Sequence, residues 1–190
     1  VRCDILTMRQ YRALERSRTY DGFILWKIHE HAPAIEALAR TRPSVWLLTP
    51  PAGGNAVIVD ADSAIRGLID HLLTEGFTRI GFFNTIDLPW AHERYAAYLS
   101  SLRKKGISAD PAWVCGHSPS GKFDLPAHAW KHPITYADAY LSRKDRADAV
   151  LCANDTLAYH LLRKAGERGL HVPRDIAVTG VPTSEATAEL

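Results

Sequence analysis

Arg94, Asn154 and Asp155 are the polar residues of this sequence best placed for ligand chemistry, since each follows a run that reads as a strand. The planar fork of a guanidinium suits paired hydroxyls or a carboxylate; the competing role for Arg94 is a surface ion pair with Glu93 or another nearby acid. Asn154 offers a donor and an acceptor, which matches a sugar hydroxyl. Asp155 reads as the N-cap of the next helix, with ligand contact as its other role. Trp90 and Trp26 could stack an aromatic face on a sugar's C–H surface or fill a core. Glu30 and His117, in loops after strands, complete the set.

Other chemistries find little support. Nine histidines suggest metal binding, above all His29-Glu30-His31 and the pair His128/His132. HExxH spacing is missing, however, and Pro133 argues against a regular helix through His132, so solvated loop histidines are expected and no metal. GxSxG is absent, and Cys115 and Cys152 sit mid-strand rather than at exposed turns, so no nucleophile stands ready and no enzyme is expected. Without GxxxxGK[ST] or GxGxxG there is no phosphate cradle, and no cofactor is expected.

The chain has 190 residues, 46% of them apolar, with a net charge of +2. It can bury a core, and it lacks the concentrated positive field of a nucleic-acid binder. The densest basic run, Arg103-Lys104-Lys105, closes a predicted helix, where cations complement the dipole. Cys3, Cys115 and Cys152 are an odd number without CxxC spacing, which predicts free buried thiols and a reducing compartment. Neither a signal segment nor an apolar run near 18 residues is visible, so cytoplasm is expected and a membrane role is not.

Short apolar runs alternate with amphipathic stretches, the pattern of βαβ units in a parallel-sheet α/β fold. Strands are expected near 3–8, 23–28, 44–49, 56–60, 79–84, 112–117, 149–153 and 176–181. Helices are expected near 9–20, 33–41, 62–75, 90–105, 133–143 and 154–168. The helix at 62–75 has Ile65, Leu68, Ile69, Leu72 and Leu73 at helical spacing, Asp62 as its expected N-cap and Gly76 as its stop. Loops at 50–55 and 117–132 interrupt the rhythm, and the first separates two strands with no helix between them. A lobe boundary is therefore expected near 50–58, with lobes at 1–56 and 57–190.

Four segments resemble the effector domain of the LacI/GalR transcription regulators. Asn154-Asp155 after the strand AVLCA, followed by Gly169 to Gly180, is similar to the family's Ala-Asn-Asp and Gly-x-x-Val-Pro-x-Asp-x-x-Val-x-Gly. Asp60 and the run His71 to Ile80 resemble its Asp and His-Leu-x-x-x-Gly-x-x-x-Ile. Arg94-Tyr95-Ala96-Ala97-Tyr98 resembles Arg-x-x-Gly-aromatic, with Ala97 replacing glycine, and Asp21-Gly22-Phe23-Ile24-Leu25 matches an Asp-Gly-aliphatic strand.

The resemblance implies a two-lobed, periplasmic-binding-protein-like (type I) fold truncated at both ends, with 1–56 a partial N-terminal lobe and 57–190 the C-terminal lobe. It implies a small effector, a sugar or sugar derivative, held in the cleft between lobes by Arg94, Asn154 and neighbours. It also implies a homodimer and DNA contact only through a module outside this chain. The competing readings are a transport-associated periplasmic sugar-binding protein and an effector-independent dimerisation core. One departure bears on the effector: Gly180-Val181-Pro182-Thr183 stands where the family has Gly-aromatic-Asp-[Asp/Asn], so Pro182 replaces a carboxylate that grips hydroxyls.

Overall fold

The computed structural model describes residues 20–26, 32–47 and 54–181. The strand expected at 3–8 and the helix at 9–20 lie outside them, as do Cys3, Glu30, Pro182 and residues 50–53. The chain divides into two compact units, Val1–Val59 and Asp60–Leu190.

In the first unit, strands β1 (Phe23–Trp26), β2 (Ser44–Leu47) and β3 (Ala56–Val57) form a parallel sheet in that order, accompanied by helix α1 (Ala32–Ala39). Because side chains alternate along a strand, Leu25 and Trp46 turn to one face and pack with Ile35 of α1, whereas Ile24 and Val45 stay exposed. The strand expected at 56–60 ends at Val57, where its pairing with β2 reaches Leu47; Ile58 and Val59 beyond it are exposed. Since β3 pairs with β2, the chain leaves this sheet after Val57 rather than at the 50–55 loop.

The second unit holds four parallel strands in the order β5-β4-β6-β7, namely β4 (Ile80–Phe83), β5 (Val114–Cys115), β6 (Ala149–Cys152) and β7 (Ala177–Gly180). Its helices are α2 (Ala61–Thr74), α3 (Pro89–Lys104), α4 (Pro133–Leu141) and α5 (Asp155–Glu167). Every residue of β4 and β6 is buried, which explains their unbroken apolar sequence. Helix α2 buries Ile65, Ile69 and Leu72 as its periodicity requires, but its cap is Asp60, whose side chain accepts from the Ser63 N–H at 3.0 Å. Asp62 instead lies in the first turn, 3.6 Å from Arg66 and 3.9 Å from Lys104. The strand expected at 112–117 shrinks to β5, because Asp110 caps a short 3-10 turn over Pro111–Trp113.

The core centres on Phe82, whose ring lies 5.2 Å from Tyr95 and 5.3 Å from Tyr98. These tyrosines are buried apolar bodies with polar tips that need partners. Tyr98 donates to the Ile80 carbonyl at 2.8 Å and Tyr140 to that of Trp113 at 3.0 Å. Cys115 and Cys152 are free and buried, and burial pushes the Cys115 thiol up to about 12. No helix among the described residues is long and apolar enough to cross a membrane.

Since all four strands are parallel, their carboxyl ends share one edge of the sheet. There the chain emits Asn84-Thr85 after β4, Gly116-His117 after β5, Asn154 after β6 and Val181 after β7. Gly116 is required at this edge: its φ is +95°, and a Cβ would sit 2.1 Å from the Asn84 carbonyl oxygen.

Candidate ligand-binding site

Open α/β sheets bind ligands outside the carboxyl ends of their strands, and the second unit gathers four of the expected residues there. Arg94, on the second turn of α3, is 4% exposed. It is therefore not the surface residue paired with Glu93 that its sequence position allowed. One guanidinium nitrogen donates to the Ala153 carbonyl at the end of β6, and the guanidinium carbon lies 4.9 Å from the centre of the Trp90 ring. Trp90 and Arg94 share a helix face because they are four residues apart. Burial pulls the Arg94 pKa below its ordinary value, opposed by the charges of Asp155 and Glu93. A guanidinium has five N–H donors, so the bond to Ala153 leaves capacity for a ligand oxygen.

The helix cap expected at Asp155 falls one residue earlier, at Asn154. Asn154 is the N-cap of α5, its side-chain oxygen accepting from the Leu157 N–H at 2.8 Å. Asparagine fits here because the residue is extended, at φ −151° and ψ 174°, and its short side chain reaches the third helical N–H. The amide nitrogen is then the group left for a ligand. Asp155 begins the helix proper, its N–H donating to the Val181 carbonyl at 3.1 Å. Both side chains are buried, and a carboxylate in a first turn favours the helix dipole.

His117 is placed apart from this group, on the side of α3 that carries His92 and Tyr95. It is 3% exposed and stacks on Tyr95 at 4.4 Å between ring centres. Its Nε2 lies 3.2 Å from His92 Nδ1, and His92 Nε2 lies 2.8 Å from an Asp87 carboxylate oxygen. A carboxylate only accepts, so with one proton on each ring His92 donates to Asp87 and His117 donates to His92. That leaves His117 Nδ1 as a bare acceptor, buried and without a hydrogen-bond partner among the described residues.

Burial first, and His92 second, hold the His117 pKa down to about 4 against a weaker opposing effect of Asp87. The unfolded chain therefore takes up a proton near its ordinary value of 6.5, which the folded state refuses until about 4. Stability from this residue is complete above about pH 6.5 and falls with pH down to about 4, by up to roughly 3 kcal/mol. Urea unfolding of the wild type and of His117→Gln across this window checks it: the difference in stability between them shrinks as pH falls.

Of the other expected residues, Trp26 closes β1 in the first unit, and Glu30 lies outside the described residues. Sequence reasoning overlooked Thr85, which is 1% exposed with a hydroxyl that has no partner among the described residues. Asn84, before it, is fully buried and clamps the turn, its side chain bonding both the N–H and the carbonyl of Ile86. The signal was available: both residues directly follow a wholly apolar strand, where parallel sheets place ligand contacts. His128 and His132 face each other at 6.1 Å between ring centres, but no cluster of three metal-ligating side chains occurs among the described residues.

The chain is similar to known proteins over most of its length. A family model of the periplasmic binding protein-like domain matches residues 69–190. The arabinose metabolism transcriptional repressor of Geobacillus stearothermophilus is 31% identical over 116 residues, covering 60% of this chain and 30% of the repressor. The HTH-type transcriptional repressor CytR of Escherichia coli is 27% identical over 132 residues, covering 69% of this chain and 36% of the repressor. This chain thus spans about a third of the length of these relatives. A sugar-binding transcriptional regulator of the LacI family from Escherichia coli, solved with phosphate, superposes with a TM-score of 0.69 at 19% identity, over 96% of this chain and 63% of that one. The chain belongs to the periplasmic binding protein-like domain family, and the relatives it matches are transcriptional repressors.

Proposed function

We propose that this chain is the effector-sensing core of a bacterial transcription regulator, binding a small sugar or sugar-like molecule and doing no covalent chemistry. The observation that carries the reading is the buried Arg94 guanidinium, held by Trp90 and by the carbonyl of Ala153, the residue before Asn154, at the carboxyl edge of the second sheet. Such a site offers fixed donors and an aromatic wall, the kind of environment that holds hydroxyl-rich ligands. Effector binding would favour one arrangement of the protein over another and so bias a DNA-binding module elsewhere in the parent protein. Relatives named as repressors support this reading over a transport role. Their names also bring sugars forward as the ligand class. A homodimer in the cytoplasm completes the proposal, consistent with buried free thiols.

Calorimetry of the parent protein against a panel of pentoses, hexoses and disaccharides tests it. Asn154→Ser keeps a side-chain oxygen able to cap α5 but removes the amide donor. At least one sugar should bind, with about tenfold weaker affinity in the variant, the worth of one hydrogen bond near the top of its usual range. The melting temperature of the unliganded protein should stay nearly unchanged. If no sugar binds the wild type, the sensing role fails and the effector-independent core stands in its place. If one binds but the variant is unaffected, Asn154 is a cap alone.

A further inference from the structure

Helix α3 presents a second side-chain stripe. His92, Tyr95, Leu99 and Arg103 recur at intervals of three and four residues, so they form one stripe, separate from the Trp90 and Arg94 stripe that serves the site above. Along it, Tyr95, Leu99 and Arg103 of the helix meet Ile107, Ala109 and Val114 of the following segment around a cavity of about 270 Å³. At roughly 30 Å³ for each water-sized group, this holds about nine such groups. Tyr95 and Val114 on its inner side are buried, whereas Arg103 and Ser108 at the rim are exposed.

Charge says what the cavity would accept. In the run Arg103-Lys104-Lys105, Lys104 stands 3.9 Å from Asp62 and Lys105 2.6 Å from Asp70, both acids being on α2. Arg103 alone of the three has no acidic partner among the described residues, and it borders the cavity. An open groove lined by Leu99, Ile107, Ala109 and Val114, with one guanidinium at its mouth that has no acidic partner among the described residues, complements a small molecule with a compact hydrocarbon body and a single carboxylate. We propose that this groove is a second binding site, specific for small apolar carboxylic acids. It is independent of the Arg94 site and of the sugar reading.

The test is a titration of the methyl-labelled chain with benzoate and hexanoate, followed by NMR, with benzyl alcohol and hexanol as uncharged counterparts. The acids should shift the methyl resonances of Leu99, Ile107, Ala109 and Val114 and bind about fivefold more tightly than the alcohols, as expected for one exposed charge pair. Arg103→Gln should erase that preference while leaving the spectrum of the free protein intact outside the groove. Ala109→Leu, which fills the cavity, should weaken acids and alcohols alike. Shifts confined to other residues, or an equal affinity for acid and alcohol in the wild type, overturn the proposal.

Discussion

Arg94→Met is expected to weaken effector binding by about 30-fold, within the range for losing a hydrogen bond from a charged donor. Methionine keeps much of the volume over Trp90 but provides no donor, so the Ala153 carbonyl loses its partner as well. Arg94→Lys restores the charge without the planar fork and should recover only part of the affinity. Calorimetry with the best sugar, alongside thermal melts, separates two outcomes. A ligand role lowers affinity well beyond what any change in melting temperature explains. If melting falls while the affinity of the folded protein is unchanged, Arg94 serves only to tie α3 to the end of β6.

Gly81→Ala should produce a large loss of stability. A Cβ at this position would lie 2.4 Å from both the Trp113 carbonyl oxygen and the Tyr140 hydroxyl, and 3.0 Å from the Ala147 Cβ. Two of these atoms are the ends of one partly buried hydrogen bond, so the methyl cannot be accommodated without parting them. Overpacking and the broken bond together cost about 3 kcal/mol. For a chain of this size that lowers the melting temperature by roughly 6–12 °C. Differential scanning calorimetry measures it, and a shift of less than about 2 °C would mean that β4 and the Trp113 turn move apart freely.

The elements that sequence reading located well are those whose apolar residues face the core at a fixed period. Helix α2 and strands β4 and β6 are of this kind, because Ile65, Ile69 and Leu72 recur on one face and Ile80 to Phe83 are buried on both. Where a side chain competes for the backbone, the reading slipped. Asp60 and Asn154 each stand one or two residues ahead of the caps expected at Asp62 and Asp155, since an N-cap must itself be non-helical and composition does not reveal where helical dihedrals begin. Asp110 likewise turned the first half of an apparent strand into a 3-10 turn.

For the site, residue type and position after a strand pointed to Arg94 and Asn154. The depth of Arg94 was not legible, because it arises from Ala153, 59 residues later in the chain. The Asp87–His92–His117 chain was hidden for the same reason: Asp87 and His92 are near in sequence, but His117 joins them from 25 residues further along. Thr85 went unnoticed because a threonine after a strand is commonplace until its hydroxyl is seen to be enclosed.

The stack of Trp90 under Arg94 also gives this molecule an optical property. Five tryptophans are spread through the chain, and they differ in surroundings: Trp46 is buried, Trp130 is 57% exposed, and Trp113 lies 5.3 Å from Arg79. Of those described, only Trp90 has its indole face against a cation at the candidate site. The excited state of indole is strongly dipolar, so its emission energy follows the electric field of that neighbouring charge. A ligand oxygen that drew the guanidinium toward itself would alter the field at the ring, and the colour of the fluorescence would change with occupancy, without any attached dye.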